Sequence, residues 1–423
     1  MNSEGDIKRH IKRTITMSIQ YNTHQGYISC SRCNNICTDM LDCLKVCEET
    51  LKAGDDMMAL DAALCVLVSG VELASCVDNS TGMLTELIMC TYEMIGRCTG
   101  ELAKQDKPVR DKALTLITRE ARKGVFNGWT DWRYNLMECG ICLCDEKKAK
   151  TFERVLDELL EGEQEGYYPE YNKEEDILLR YLLHRQILGR EAAREELYHN
   201  ISVDRLRRMA IEDALEEKDY DEAERLCREK AEGYEAQHYR KNDPEDWQNV
   251  LYSIYDKSAD RDKKIAQAQR LLLMGNESFW DELKEIYETD GTWNTHYGEL
   301  LELLKNSGQR TCYRNVLVTE EEGDRLLQDL TEDPQDLFEY GEHLVKDYPD
   351  QIYELCCRVI RDNCARYKER PEYKRVMKQI TMLIQWGGGD CARSLIGELK
   401  RTYPRKPALQ DELQKVESLI ISG

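Results

Sequence analysis

ALEEKDYDEAERLCREKAE, residues Ala214–Glu232, is the stretch whose reading decides the fold. Ala223, Leu226, Cys227 and Ala231 return every three or four positions, which places them on one helical face. Upstream, Ala214–Glu217 closes an earlier helix, and Lys218–Asp219 is left as a tight turn between the two. A helix pair of this length cannot bury its apolar stripe alone and needs similar pairs stacked on either side.

The same rhythm continues outward. Helical periodicity covers 174–188, 190–198, 202–217, 220–238, 244–256, 260–273, 276–288, 293–306, 309–316, 319–330, 333–347, 349–364, 371–385, 388–402 and 405–421. Turn residues separate these segments, among them Gly189, Gly275–Asn276, Gly291, Gly308, Asp333–Pro334, Pro349, Pro371 and Gly387–Gly389. Ser202, Thr319 and Thr331 stand where helix caps are expected. A pair every ~30–40 residues is the period of tetratricopeptide or HEAT-like arrays. Only Asn315–Thr319 (NVLVT) is a β-branched run, so the expected class is all-α.

Toward the N-terminus, helices are expected over 1–25, 30–52, 57–77, 83–104, 108–123, 130–145 and 148–162, with the apolar segment Met57–Val77 at the centre of a bundle. Residues 161–176, EGEQEGYYPEYNKEED, carry two Gly, one Pro and dense charge. They suggest a boundary between a Cys-rich helical bundle, 1–165, and an acidic α-solenoid of degenerate helix-pair repeats, 166–423.

Charge narrows the function classes. The net charge is −22, with 59 Lys and Arg against 81 Asp and Glu. Residues 1–144 hold 16 basic and 19 acidic residues (−3), and the remaining 279 hold 43 and 62 (−19). An acidic surface repels phosphate backbones unless a local basic patch intervenes, so nucleic acid is a disfavoured partner for the C-terminal part. The dense basic cluster is Lys8, Arg9, Lys12 and Arg13, read as a solvated helix face. No secretory h-region and no membrane-spanning apolar run is visible, which points to a cytoplasmic protein with no membrane partner.

Eighteen cysteines without an export signal suggest free thiols. Cys30-x-x-Cys33 and Cys139-x-x-Cys142 have the spacing of zinc knuckles and together supply four candidate ligands. Against zinc, Cys33 and Cys37 are four apart on a helix, and cysteine packs as a small hydrophobe; the reading favours no cofactor. Arg194 and His199 match the arginine, four residues, histidine pattern of helical ribonucleases of the HEPN type, in which the His acts in phosphodiester cleavage and the Arg holds phosphate charge. No phosphate loop or nucleophile motif accompanies them. Tyr is frequent (23) beside 4 Phe; Tyr167, Tyr168 and Tyr171 cluster near a loop and are candidate contact residues, as are the acidic turn residues Asp219, Asp221, Glu222 and Glu224.

Two segments, Gly128–Leu160 (GWTDWRYNLMECGICLCDEKKAKTFERVLDELL) and Ala365–Val416 (ARYKERPEYKRVMKQITMLIQWGGGDCARSLIGELKRTYPRKPALQDELQKV), resemble the helical repeat region of bacterial SWIM zinc-finger proteins. The family signature, Cys-x-Cys followed by Cys-x-His, is met only by Cys142-x-Cys144. The resemblance therefore implies a helical scaffold without the finger. The expected function is a non-catalytic scaffold that holds a protein or peptide with a basic segment, as part of a larger complex. The alternative is a nucleic-acid-associated helical protein or HEPN-like ribonuclease in a defence or DNA-processing complex.

Overall fold

A computed structural model describes residues 6–162, 169–232, 240, 243 and 246–422. They form 22 α-helices, α1 (Asp6–Asn22) to α22 (Pro407–Ser422). Among the described residues there is no β-strand, only two isolated bridges, His24 with Tyr27 and Ile28 with Val77. The protein is all-α. No helix among these residues is long and apolar enough to cross a membrane.

The chain divides into two compact units, Met1–Leu226 and Cys227–Gly423. In the first, α2 (Cys30–Lys52) buries Cys33, Ile36, Cys37, Met40, Cys43, Leu44 and Cys47, a three-and-four spacing in which cysteine takes the place of alanine or valine. The helix α3 (Asp56–Leu73) is buried on nearly every side and packs against α1, α2, α4 (Met83–Leu102) and α5 (Lys107–Ala121). A Cβ on its Gly70 would meet Ile88 Cδ1 of α4 at 2.8 Å, so the glycine sets how closely the two helices approach. The shared core reaches Leu179 and Leu183 of α8 (Pro169–Leu188), which also packs on α6 (Thr130–Glu138) and α7 (Glu146–Gly162). Thus α8 belongs to the first unit, although the sequence places a boundary at 165/166. The marking stretch 163–168 lies outside the described residues.

The second unit is an array of helix pairs forming an α-solenoid. Its main contacts join helices adjacent or next-but-one in the chain. α13 (Arg261–Leu273) packs on α12 (Trp247–Ser258), α14 (Ser278–Thr289) and α15 (Trp293–Asn306). Further on, α16 (Arg310–Thr319) packs on α15 and α17 (Gly323–Glu332), and α19 (Pro349–Arg366) on α20 (Arg370–Gln385) and α21 (Gly389–Thr402). Nearest-neighbour contact is the defining property of a repeat array. A continuous core from Ala268 to Val416 fills it.

The joints repeat one backbone device. After α10 (Asp204–Glu216), Lys218 takes φ 61°, its N–H donates to Leu215 O (3.1 Å), and the Asp219 N–H donates to Ala214 O (2.8 Å). That pair of bonds is a Schellman motif, which satisfies the carbonyls a helix end leaves open. The same pair closes helices at Gly54, Gly275, Gly291, Glu321 and Gly387. Four of these six left-handed positions hold glycine, the residue that adopts them without strain. Lys218 and Glu321 adopt them at a cost.

Several local expectations fail for identifiable reasons. Asn315–Thr319 is the last part of α16, not a strand, because Val316 and Leu317 face the core at helical spacing. Thr319 and Thr331 do not cap helices: each sits in a last turn, and its hydroxyl donates back to Asn315 O (3.0 Å) or Leu327 O (2.7 Å). Ser202 does not cap α10, whose N-cap is Val203 with no side-chain bond. Residues 333–347 hold only one α-turn, α18 (Leu337–Tyr340), and a 3-10 turn, Gly341–His343. Gly341 lies under Trp386, where a Cβ would come 2.8 Å from the ring, and that contact replaces a regular helix.

Candidate functional site

The acidity of the second unit is concentrated. Residues 277–354 hold 6 basic against 21 acidic residues, a net of −15. A cleft of about 430 Å³ opens in this block between α14, α16 and the segment around α18. Glu277, at the N-cap of α14, and Asp281, one turn on, share its rim; both are exposed. Residues four apart on a helix point the same way, so the two carboxylates face a common space.

The walls are fixed by polar ties. Asn315 donates to Glu277 Oε2 (2.6 Å) and accepts from the Tyr340 hydroxyl (2.8 Å). Burial, then the neighbouring Glu339 and Asp336, pushes the Tyr340 phenol up to about 12. Behind it Arg314, 0% exposed, donates to Asp329 (2.7 Å), Asp336 (2.7 Å) and Asp333 O (2.7 Å), and its guanidinium lies 5.8 Å from the Tyr340 ring centre. On the other side buried Trp280 donates its indole N–H to Glu320 (2.8 Å), which also accepts from Lys284 (2.9 Å). A shallow, carboxylate-rimmed cleft with amide and hydroxyl groups suits a cationic side chain better than an apolar ligand, which needs an enclosed apolar pocket.

Tyrosine explains itself in this unit. Tyr252 donates to Glu282 (2.7 Å), Tyr297 to Glu322 (2.6 Å) and Tyr348 to Asp324 (2.8 Å), each joining different helices. Burial first, then the bonded carboxylate, raises the phenols of Tyr252 and Tyr297. A phenylalanine at these positions would pack but leave the tie unmade.

No protein-family model matches the chain, and no curated protein matches it. One solved structure is similar over 98% of this chain and 95% of its own: a circular tandem repeat protein with novel repeat topology and enhanced subunit contact surfaces. The identity is 14% and the TM-score 0.22, a likeness too slight to bear on fold or function.

The residues singled out by sequence are placed as follows. Asp219 caps α11 (Tyr220–Ala231), its Oδ1 accepting from Glu222 N at 3.1 Å. Asp221 is exposed. Glu222 pairs with Arg225 (2.7 Å), which, helped by Tyr198 and against the opposing effect of burial, holds its carboxyl below the usual range. Glu224 is half-buried and engaged. Tyr171 is 41% exposed; burial and Glu175 push its phenol up to about 12. Tyr167 and Tyr168 lie outside the described residues. Arg194 is held by Glu217 (3.0 Å) on the end of α10. His199 is exposed on the same helix, α9 (Arg190–His199), five residues on and so about 140° around the axis. The two do not converge.

The cysteines are not gathered either. Cys30 and Cys33 sit in the first turn of α2, where Cys33 lies 3.9 Å from Cys37 and Cys30 donates to Thr81 (3.8 Å). Cys139 and Cys142 follow α6 and donate to the carbonyls of Tyr92 (4.0 Å) and Cys139 (3.7 Å). Burial pushes the Cys139 thiol up to about 12 and raises Cys33 and Cys142 as well. Among the described residues no group of three or more His, Cys, Asp or Glu is placed to hold a metal ion, and none of the 18 cysteines is in a disulfide. In the basic cluster Lys8 pairs with Asp61 (2.7 Å), while Lys12 and Arg13 face solvent.

One feature escaped the sequence reading because charge was averaged over 279 residues. Directly after the acidic block, residues 358–406 hold 13 basic against 5 acidic residues, a net of +8. A sliding charge count along the chain finds it.

Proposed function

We propose that the protein is a non-catalytic helical scaffold that holds a protein or peptide through a basic segment. The supporting observation is the carboxylate-rimmed cleft of Glu277 and Asp281 within a block of net charge −15. Its floor is immobilised by Arg314 and Tyr340, so a cation entering it meets preplaced acceptors and orders little of the scaffold. The helix-pair array adds extended surface for the rest of the partner. The non-catalytic reading is favoured by Arg194 being tied to Glu217 while His199 lies on another face of the same helix.

The test is affinity capture from native extract with wild-type protein and with Glu277→Gln/Asp281→Asn. A partner bearing a Lys/Arg-rich segment should be enriched by wild type, be lost from the double variant, and elute as salt rises through the range where the Debye length falls from about 10 Å to 3 Å. A partner retained equally by both proteins at high salt refutes the reading.

A further inference from the structure

The +8 stretch is folded into one end of the second unit. The turn between α19 and α20 and the turn between α21 and α22 lie side by side: Lys406 of the second donates to Cys364 O (2.8 Å) and Tyr367 O (3.0 Å) of the first. Arg370, opening α20, pairs with Glu412 of α22 (2.9 Å). Arg366 and Lys368 stand at the first of these turns and Arg401 and Arg405 at the second. Lys374, Arg375 and Lys378 continue the charge along the outward face of α20, whose other face buries Tyr373, Val376, Met377 and Ile380. All seven are exposed, and among the described residues none makes an ion pair or side-chain hydrogen bond.

The nearby carboxylates are mostly spoken for. Glu372 accepts from the backbone N–H groups of Lys368 and Glu369 (2.9 Å each), Glu369 forms the reciprocal capping box, and Asp411 and Glu412 pair with Arg370. Stability does not require the seven cations: only Arg366 and Arg401 lie in the last turn of a helix, where a positive charge offsets the macrodipole. Lys374, Arg375 and Lys378 lie in the middle of α20, away from the last turn where a positive charge would stabilise the helix.

We infer that this basic end binds the phosphodiester backbone of a nucleic acid, without sequence preference. Four of the seven free cations are arginines, whose planar fork matches phosphate oxygens in pairs. Tyr367 and Tyr403, in the two turns, are half-buried and pack on the core, and Lys406 lies over the Tyr403 ring (4.7 Å to its centre), which adds another cation to this end. The site is separate from the acidic cleft, so a scaffold of this kind joins a basic protein segment to a polyanion.

The test uses the full chain and fluorescein-labelled 20-nucleotide probes, single-stranded and duplex, by anisotropy from 50 to 200 mM salt. Neutralising four phosphates lowers affinity across that range by about 150-fold for duplex and about 50-fold for single strands. The variant Lys374→Gln/Lys378→Gln/Arg401→Gln/Arg405→Gln removes no tie and should keep wild-type helicity while losing at least roughly tenfold in affinity at 50 mM. Glu277→Gln/Asp281→Asn should bind the probe as wild type does, which separates this site from the proposed cleft. Absence of binding at 50 mM salt, or equal binding by the quadruple variant, overturns the inference. So does a poly-glutamate peptide that competes as well per charge as the nucleic acid, because it assigns the end to an acidic protein.

Discussion

Replacing Arg314 with methionine tests the site and the array together. The guanidinium is fully buried and makes three bonds, to Asp329, to Asp336 and to the Asp333 carbonyl, each at 2.7 Å. Methionine fills much of the volume but leaves Asp329, itself largely buried, without a counter-charge. Breaking a buried ion pair from one side costs about 3–5 kcal/mol, most of it the penalty on the stranded partner. For a unit of this size each kcal/mol moves the melting temperature by ~2–4 °C, so the second unit should melt roughly 6–20 °C lower. Trp280, Trp293 and Trp386 in the same array report the transition by fluorescence, with far-UV circular dichroism as the second probe. Arg314→Lys keeps the charge but, as a point donor, cannot span both carboxylates and the carbonyl; it should fall between wild type and Arg314→Met. The combination Arg314→Met/Asp329→Asn/Asp336→Asn removes the stranded charges and should recover most of the loss. A single variant within about 1 kcal/mol of wild type, or a triple variant no better than the single, refutes the assignment of Arg314 as the electrostatic centre of this repeat.

Four further outcomes are expected. Lys218→Gly and Glu321→Gly relieve left-handed strain at Schellman positions and should each raise stability by about 1 kcal/mol in urea titration; a loss at either site contradicts the joint geometry. Within the triplet at 387–389, Gly388→Ala should cost about 1–3 kcal/mol, because the new Cβ meets Leu383 Cδ1 at 2.5 Å, whereas Gly389→Ala meets nothing within 4 Å and should be neutral or stabilising. His184 lies between Glu196 (2.8 Å) and Glu153 (3.0 Å); burial lowers its pKa, but the two carboxylates outweigh it and the net shift is upward. Its contribution is therefore complete below the unfolded value of ~6.5 and is lost as pH rises through the folded value, so unfolding midpoints should drop across that window in wild type and not in His184→Gln. With a colorimetric disulfide reagent at neutral pH, the exposed Cys76 and Cys391 should react first, and Cys37, Cys47, Cys98 and Cys144, whose burial pushes their thiols up to about 12, only on unfolding.

The helices were legible because periodicity and turn residues agreed: α2 runs over Cys30–Lys52 and α15 over Trp293–Asn306, as their spacing predicts. The joint at Lys218–Asp219 was legible too, although its left-handed residue is a lysine, because the flanking stripes left only two residues for the turn. What stayed hidden depended on contacts between repeats. The break in 333–347 comes from Trp386 lying on Gly341 and from Arg314 holding Asp333 O and Asp336, neither of which has a local signature. Thr319 and Thr331 looked like caps, yet a threonine hydroxyl serves equally well bonded one turn back inside a helix. The tyrosine ties to Glu282, Glu322 and Asp324 span separations of 24 to 30 residues and carry no motif.

The candidate sites follow from how such an array is held. Each joint closes with backbone bonds, and each pair leans on its neighbours through an apolar stripe, so exposed positions are released from any part in folding. Charge can then be distributed along the chain by function alone. A random distribution at this composition tends to intersperse the signs; here a block of −15 is followed directly by one of +8. Within the acidic block Arg314 pairs with Asp329 in the interior, Lys284 and Arg325 pair with Glu320 and Glu322 nearer the surface, and carboxylates such as Asp281 stay exposed. In and just beyond the basic block Glu372, Asp411 and Glu412 are engaged by backbone N–H donors and Arg370, while Lys374 and Lys378 stay at the surface. A local excess of one sign on each surface is what two separate binding faces of opposite sign require.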